Sequence, residues 1–140
     1  MPEVRTETAP HHVMLETDRC SDWLGVEVLL AEPGHAKLRM TVRPEMTNGF
    51  EILHGGMMFA LADTCFAMAC NDPAGDEQTI TVASGADINF IKPARIGDVL
   101  VAEALPVASA GRSGVYDVVV TRDEELLAVF RGRSRTIPKP

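Results

Sequence analysis

The sequence contains few cysteines and few aromatic residues. Only 3 of its 140 residues are cysteine, and aromatic residues make up 5% of the chain. An odd number of cysteines without paired spacing excludes a disulfide framework and a cysteine-based zinc site, and it fits a reducing cytoplasm. So low an aromatic content gives no indication of an aromatic cage for a cationic ligand.

An excess of basic residues and a long hydrophobic run are also missing. The 13 lysines and arginines are outnumbered by 20 aspartates and glutamates, which gives a formal net charge of −7. This balance argues against general nucleic-acid binding, which needs a basic surface. The segment 1–8 lacks the apolar centre of a signal peptide, and no run is long enough to span a bilayer. We therefore expect a cytoplasmic protein that binds neither nucleic acid nor membrane.

The length of 140 residues fits one domain. A chain of this size buries roughly 68–70% of its unfolded surface, which is enough for a core without disulfides or metals. The polar start of the sequence predicts a flexible tail at residues 1–12, followed by a single domain over residues 13–140. His11, His12 and His35 have no cluster partners, so we expect them on the surface.

The first half of the chain predicts two helices and two strands. A short helix at 13–24 ends at Gly25, and strands follow at 26–31 and 35–43. The second strand alternates in polarity, with one apolar face made of Ala36, Leu38, Met40 and Val42. A long apolar helix then follows His54-Gly55-Gly56 and stops near Asn71-Asp72-Pro73, because proline disfavours its continuation.

The second half predicts strands in succession, at residues 79–90, 99–107, 115–122 and 126–135. In the first of these, alternation places Ile80, Val82, Ile88 and Phe90 on the inward face. Strands in runs indicate an antiparallel sheet and an α+β fold, with the sheet wrapped around the long helix. That helix is apolar nearly all round, so we expect part of it to contact a second subunit of a dimer.

One charged residue interrupts the long apolar helix. Asp63 lies between Met57 and Cys70 in a stretch that is otherwise uncharged. A carboxylate there must find hydrogen-bond partners, meet solvent in a pocket, or destabilise the fold, since uncompensated burial costs several kcal/mol. Such residues are kept mainly for chemistry or to hold a backbone segment, and both readings stay open for Asp63.

Three motifs resemble a known family. They are Asn48-Gly49 with His54-Gly55-Gly56-Met57 and Leu61-Ala62-Asp63-Thr64, then Asp87-Ile88-Asn89-Phe90-Ile91-Lys92-Pro93-Ala94, and finally Gly114-Val115-Tyr116-Asp117-Val118 with Val129-Phe130-Arg131-Gly132-Arg133-Ser134. Over residues 14–137 the chain resembles the hotdog-fold acyl-CoA thioesterases, and within them the phenylacetate-degradation branch. The resemblance implies hydrolysis of an acyl-CoA thioester, of hydroxylated phenylacetyl or a similar aryl or short acyl group, without metal or cofactor. It also implies a dimer with active sites between subunits, and commonly a tetramer of two dimers.

The resemblance also implies roles for particular residues. Asp63 matches the catalytic carboxylate, Gly55 the backbone donor to the thioester carbonyl, Asn48 the amide that orients carboxylate or water, and His54 the histidine beside the leaving group. In some relatives a serine holds the attacking water, and here Ala83 or, shifted by one, Ser84 occupies that place. Two bland alternatives remain, because Asn48-Gly49 is also a good turn dipeptide and His54 could bind a loop carbonyl.

The predicted chemistry fits these residue types. Backbone N–H groups at a helix N-terminus are unpaired and lie at the positive end of the helix dipole, so Gly55 and Gly56 suit a developing oxyanion. Asp63, however, lies about 12 Å further along a straight helix at ~1.5 Å per residue. Either Gly55 precedes the helix on a loop, or it acts from the partner chain. The site between subunits that the resemblance implies fits the second option, so we predict that Asp63 of one chain works with Gly55 of the other. Asp63 would act as a general base or as a nucleophile.

Binding of CoA is predicted from scattered basic and small residues. The candidates are Gly56, Ser84, Lys92, Arg95, Arg112 and Ser113, with the period-two arginines Arg131, Arg133 and Arg135 as a further patch for phosphates. For any single one of them an ordinary solvated strand face explains the charge equally well.

Phe59, Phe66 and Phe90 could line an aryl pocket or belong to the core. A hotdog hydratase or dehydratase, or a non-catalytic acyl-CoA-binding domain, are the alternative functions.

Overall fold

The computed structural model describes residues 9–140. Within that range the chain forms two α-helices and six β-strands. The helices are α1 (Arg19–Leu24) and α2 (Gly55–Cys70). The strands are β1 (Glu27–Glu32), β2 (His35–Thr41), β3 (Thr79–Phe90), β4 (Val99–Ala110), β5 (Ser113–Arg122) and β6 (Glu125–Pro138).

The six strands form one antiparallel sheet in the order β1-β2-β4-β5-β6-β3. The sheet curves around α2, which packs against every strand. The prediction of an α+β fold with an antiparallel sheet wrapped around one long helix is confirmed. In the described part of the chain, β1 and β3 are the two edge strands. No helix of residues 9–140 is long and apolar enough to cross a membrane.

The long helix α2 begins and ends with side-chain caps. His54 is its N-cap residue and accepts a hydrogen bond from the N–H of Gly56. Asn71 follows the last turn, where its amide donates to the carbonyls of Ala67 and Thr81, both at 2.9 Å, and its oxygen accepts from the N–H of Thr81 at 3.0 Å. These bonds satisfy groups left over at the helix end and tie α2 to β3. The end predicted near Asn71-Asp72-Pro73 is confirmed.

The core lies between α2 and the concave face of the sheet. On β2 the residues Ala36, Leu38 and Met40 are all at most 1% exposed, and Val42 just after it is 2% exposed. The apolar face predicted from alternation is therefore confirmed there. On the other side, α2 buries Leu61, Ala62, Cys65, Phe66 and Met68 against the sheet.

The prediction for the inward face of β3 is partly wrong. The pairing of β3 with β6 shifts register between Ala83 and Gly85, so Ser84 forms a bulge. A bulge changes the phase of the alternation, and the residues before and after it no longer share a face. Val82 consequently pairs with exposed Arg135 and is 37% exposed. Phe90, the last residue of this edge strand, is 54% exposed.

Two further predictions near the N-terminus are corrected. Residues 13–24 do not form one helix: a 3-10 helix at Val13–Glu16 precedes α1, because Asp18 accepts from the N–H of Ser21 and caps α1 separately. His12 is not a surface residue but is 1% exposed. Its Nε2–H donates to the carbonyls of Met68 at 3.0 Å and Asn71 at 3.1 Å, which holds the N-terminal segment against the end of α2. Of the predicted flexible tail, residues 1–8 lie outside the described residues.

Candidate active site

Asp63 lies on the outer face of α2, away from the sheet. Its neighbours along that face, Ala60 and Ala67, are one turn away on either side and have small side chains. Asp63 is half-buried, and within residues 9–140 its carboxylate has no hydrogen-bond or ion-pair partner. Burial raises the pKa of Asp63 above its usual range. The carboxylate is therefore partly desolvated and is not used to tie down this chain's backbone.

A thiol shares this face of α2. Cys70 lies two turns beyond Asp63 and is half-buried. Burial, with a smaller contribution from the negative charge of Asp63, raises the pKa of the Cys70 thiol to about 12. Since the thiolate is the nucleophilic form of cysteine, Cys70 is inert near neutral pH. Asp63 is therefore the group of this face that is ionised near the ordinary carboxyl range or somewhat above it, whereas Cys70 stays a thiol.

The N-terminus of α2 presents one unused backbone donor. Gly55 is the first residue of the helix, and in the described part of the chain its N–H has no acceptor. Gly56 differs, because its N–H donates to His54 Nδ1 at 3.0 Å. The free N–H of Gly55 lies at the positively polarised end of a 16-residue helix. The two adjacent glycines therefore have different roles, and Gly55 is the one available to a ligand.

A cavity of about 400 Å³ opens beside Gly55. Its walls are mostly apolar and include Met58 and Phe90. Asn48 lies at the same cavity, where its side-chain oxygen accepts from the N–H of Phe50 at 2.9 Å. That bond is the local turn anticipated for Asn48, yet it leaves the two N–H groups of the side-chain amide for a ligand. Met58, Ile91 and Pro93 also line the cavity, and no sequence signal distinguished them from core residues.

Gly55 and Asp63 are too far apart to act together within one chain. They belong to the same helix and are eight residues apart, which is about 12 Å along the axis at ~1.5 Å per residue. The first option, in which Gly55 precedes the helix on a loop, does not hold, because Gly55 is the first residue of the helix. The second option, in which the two residues come from different chains, stays a prediction.

Two of the predicted CoA-binding residues lie near the cavity. Lys92 lines it, and its ammonium group forms an ion pair with Glu125 at 2.9 Å. Arg95 is close in sequence, and its backbone N–H donates to Asp98 at 2.8 Å. That bond and the Arg122 guanidinium, 2.7 Å away, hold the pKa of Asp98 below its usual range. The loop that carries Lys92 and Arg95 is thereby fixed at the edge of the cavity.

Other predicted binding residues lie at the opposite end of the sheet. Ser84, Ser113 and Arg133 line a second cavity of about 370 Å³, and Arg112 is in the turn between β4 and β5. Ser84 is the bulge residue, and its hydroxyl donates to the carbonyl of Arg133 at 3.2 Å. This end is separated from Gly55 by the length of α2, roughly 24 Å for 16 residues.

Two of the three arginines of β6, Arg131 and Arg133, are engaged with carboxylates. Arg131 forms a two-bond pair with Asp117 on β5, at 2.7 and 2.9 Å, and Arg133 pairs with Asp87 on β3 at 2.8 Å. The Arg131 guanidinium holds the pKa of Asp117 below its usual range. These pairs link the three strands across the convex face, so an ordinary strand-face role accounts for Arg131 and Arg133.

Known proteins are similar to this chain in sequence and in fold. Residues 50–129 match the family described as the Thioesterase superfamily. The acyl-coenzyme A thioesterase PaaI of Escherichia coli is 39% identical over 127 residues, which are 90% of this chain and 88% of that protein. The structure of the E. coli PaaI protein from the phenylacetic acid degradation operon matches with a TM-score of 0.82 at 38% identity, over 89% of this chain and 88% of that one. A mutant of the phenylacetic acid degradation protein PaaI from Thermus thermophilus matches at 0.77 and 31%, over 84% and 98% of the two chains.

The antiparallel sheet around α2 is the hotdog fold of these structures, so the predicted fold is confirmed. The chain belongs to the thioesterase superfamily. The family resemblance drawn from the His54-Gly55-Gly56 and Asp63 motif is therefore confirmed, and so is the enzyme class.

Proposed function

We propose that this protein hydrolyses acyl-CoA thioesters to a free acid and CoA, at a site shared by two chains. The observation that carries the proposal is that one helix presents two unused groups. They are the free N–H of Gly55 beside a cavity and the unpartnered carboxylate of Asp63. The similarity to an acyl-coenzyme A thioesterase over 90% of the chain supports the same substrate class.

The chemistry assigns one role to each group. Asp63 as general base takes a proton from water while the water oxygen bonds to the carbonyl carbon; the C–S bond then breaks and the thiolate leaves. Asp63 as nucleophile would instead attack the carbonyl carbon; the C–S bond breaks, the CoA thiolate leaves, and water hydrolyses the resulting mixed anhydride in a second step. In both routes the N–H of Gly55 donates to the developing oxyanion, a contribution of roughly 3–4 kcal/mol for a donor of this kind.

His54 has a fixed tautomer that suits the leaving group. Because Nδ1 accepts from the N–H of Gly56, the ring proton is on Nε2. The imidazole is exposed, so its Nε2–H can donate to the departing sulfur. The amide N–H groups of Asn48 face the same cavity and can orient the attacking water or the carboxylate of Asp63 from a second chain.

A dimer would allow Gly55 of one chain to lie close to Asp63 of the other, although the two residues are far apart within one chain. Two antiparallel α2 helices packed on their outer faces would bring the first residue of one helix beside the middle of the other. A two-fold axis would then create two equivalent sites. The free edge of β3 and the half-exposed outer face of α2 are available for such contacts. A tetramer of two dimers would bring the Arg112 and Ser113 end of a neighbouring chain within reach of a bound CoA.

The proposed reaction needs no metal ion or cofactor, since a carboxylate, a backbone amide and water are sufficient. The proposed acyl groups are hydroxylated phenylacetyl or similar aryl or short groups, because both compared PaaI proteins are described with phenylacetic acid degradation. Arg95, close to the edge of the cavity, is proposed to face the CoA phosphates.

The test is release of CoA, followed with a thiol reagent, from phenylacetyl-, 3,4-dihydroxyphenylacetyl-, benzoyl- and hexanoyl-CoA. We expect turnover that dialysis against EDTA leaves unchanged. If no ester releases CoA, the hydrolase proposal fails. Conversion of an enoyl-CoA would then favour a hydratase, and tight acyl-CoA binding without turnover would favour a non-catalytic binding domain.

A further inference from the structure

Of three phenylalanines considered for an aryl pocket, two belong to the core. The rings of Phe59 and Phe66 contact that of Phe130, with centroid distances of 5.4 and 5.8 Å. Phe66 also packs edge-on against Tyr116 at 5.7 Å. Phe90 differs, because its side chain is 54% exposed and lines the cavity beside Gly55. The structure therefore singles out Phe90 as an aromatic residue available to a ligand.

The ring of Phe90 lies directly against the start of α2. A Cβ atom placed on Gly55 would lie 3.1 Å from Phe90 Cζ, which is tighter than most side-chain contacts. The backbone beneath the ring is fixed, since Phe90 is paired with Ala128, and both Ile91 and Lys92 donate their N–H groups to the carbonyl of Leu127. A substrate carbonyl bonded to the Gly55 N–H would thus have the ring of Phe90 beside it.

The cavity is better suited to an aromatic acyl group than to the polar CoA arm. Besides Phe90 its walls contain Met58, Ile91 and Pro93, and its polar side chains are Asn48 and Lys92. Ligand pockets combine apolar walls with a few placed polar groups, and aromatic rings pack favourably edge-to-face or offset against one another. The two polar side chains match the hydroxyl groups of a hydroxylated ring.

We propose that this cavity binds the aryl ring of the substrate and that Phe90 determines the preference for aryl over small aliphatic acyl groups. The proposal rests on the proposed acyl-CoA hydrolysis and adds the location of the acyl group. In this arrangement the ammonium group of Lys92 contacts a ring hydroxyl, and the CoA arm leaves the cavity on the other side of the thioester.

The test compares kcat/KM for phenylacetyl-CoA with that for acetyl-CoA in wild type, Phe90→Ala and Phe90→Leu. Removing the aromatic wall is expected to lower the phenylacetyl to acetyl ratio of kcat/KM by about 10-fold or more, because only the phenylacetyl ester has a ring that packs against Phe90. Phe50→Ala is the matched control, because Phe50 is 83% exposed at the same end of the molecule and is not among the cavity residues. Its ratio should stay at the wild-type value.

The ratio separates the possible outcomes. An equal loss on both esters, or an unchanged ratio in both Phe90 variants, overturns the proposal, since Phe90 would then contact the CoA arm, support Gly55 or serve only subunit contacts. Phe90→Leu keeps an apolar side chain in place, so the ratio can be read even if Phe90→Ala assembles poorly. Failure of the proposed function looks different, because wild type would then release CoA from neither ester.

Discussion

Asp63 is held in a state that favours chemistry over stability. Its carboxylate has no partner within residues 9–140, and burial raises its pKa. Above that pKa the folded protein carries a partly desolvated negative charge that the unfolded chain would hydrate fully. Such a residue lowers the free energy of unfolding unless a partner subunit compensates for it.

The Asp63→Asn variant is predicted to lose activity and gain stability. Release of CoA should fall by at least about 10²-fold, because the side-chain amide of asparagine cannot accept the proton from water. Because the folded-state pKa is raised, the stabilising contribution of protonated Asp63 is present below the unfolded pKa and is lost as the pH rises through the folded-state pKa. At neutral pH the variant should therefore have the higher Tm, and the difference should vanish as the pH falls below the ordinary carboxyl range.

Asp76→Asn is a control with the opposite sign. Asp76 accepts from the N–H groups of Gln78 at 2.7 Å and Thr79 at 3.1 Å, and these bonds lower its pKa. Its contribution to stability is thus present above the unfolded pKa and lost as the pH falls. The control should lower Tm at neutral pH and leave activity intact. A lower Tm for Asp63→Asn at neutral pH would contradict the account of Asp63.

Gly55 allows the backbone donor to be removed by itself. His54 has φ −59 and ψ 133, a conformation that tolerates a following proline, and proline is well accepted at the first position of a helix. Gly55→Pro deletes an N–H that has no acceptor in the described part of the chain. We predict a kcat about 10²- to 10³-fold below that of Gly55→Ala, the magnitude typical of a lost oxyanion donor.

The comparison with alanine isolates the N–H group. Both substitutions add a Cβ that meets the ring of Phe90, but only proline lacks the donor. Circular dichroism would show whether α2 is retained in both variants. Equal activity of the two variants would mean that the Gly55 N–H does not contact the oxyanion.

At the scale of the elements, regular periodicity was predictable and its interruptions were not. The alternation of β2 and the extent of α2 follow from apolar spacing and from the stop near Pro73, and both are confirmed. The bulge at Ser84 changes the facing of β3, and the local sequence carries only a weak signal of it, the interruption Ala83-Ser84-Gly85 between two alternating stretches. A bulge depends on the partner strand, which a local pattern does not contain. The same holds for His12, whose burial depends on carbonyls at the end of α2.

The packing of α2 on the sheet depends on a close approach at Gly132. This residue pairs with Tyr116 and Ala86 on the neighbouring strands, and a Cβ atom on it would lie 2.7 Å from the ring of Phe66. Phe66 is 1% exposed and is confined by the rings of Phe130 and Tyr116. The ring therefore has little room to move away from an added methyl group.

We predict that Gly132→Ala lowers the free energy of unfolding by about 1–3 kcal/mol, the range for overpacking a dense core. Urea denaturation monitored by circular dichroism measures the change. Gly49→Ala is the control, because a Cβ there meets nothing within 4 Å and Gly49 is not in the left-handed region. Equal midpoints for the two variants would show that α2 shifts freely on the sheet.

At the scale of the whole molecule, sequence spacing identified the groups but not their assembly. Gly55, His54 and Asn48 lie together at the start of α2, as their closeness in sequence suggests. Asp63 is in the same helix but about 12 Å further on, and Arg112 lies at the far end of the sheet. Such separations become meaningful only when a second chain is present, and a single sequence contains no information on the geometry of that contact.

The account predicts a stable dimer or a tetramer and no appreciable monomer at assay concentrations. Sedimentation velocity or light scattering should give two or four times the chain mass for the wild type. Asp63→Asn should have the same mass, since the loss of activity is assigned to chemistry and not to assembly. An active monomer would require both groups to act within one chain and would contradict the shared site.

The central claim, that Asp63 of one chain works with Gly55 of another, is tested most directly by mixing two inactive variants. Asp63→Asn and Gly55→Pro are unfolded together and refolded as a mixture. In a mixed dimer, one site combines the intact Asp63 with the intact Gly55, and the other site lacks both. Random pairing should therefore restore about a quarter of the wild-type CoA release in a symmetric dimer. If the mixture stays as inactive as its parents although mixed dimers form, the two residues do not act across the subunit interface.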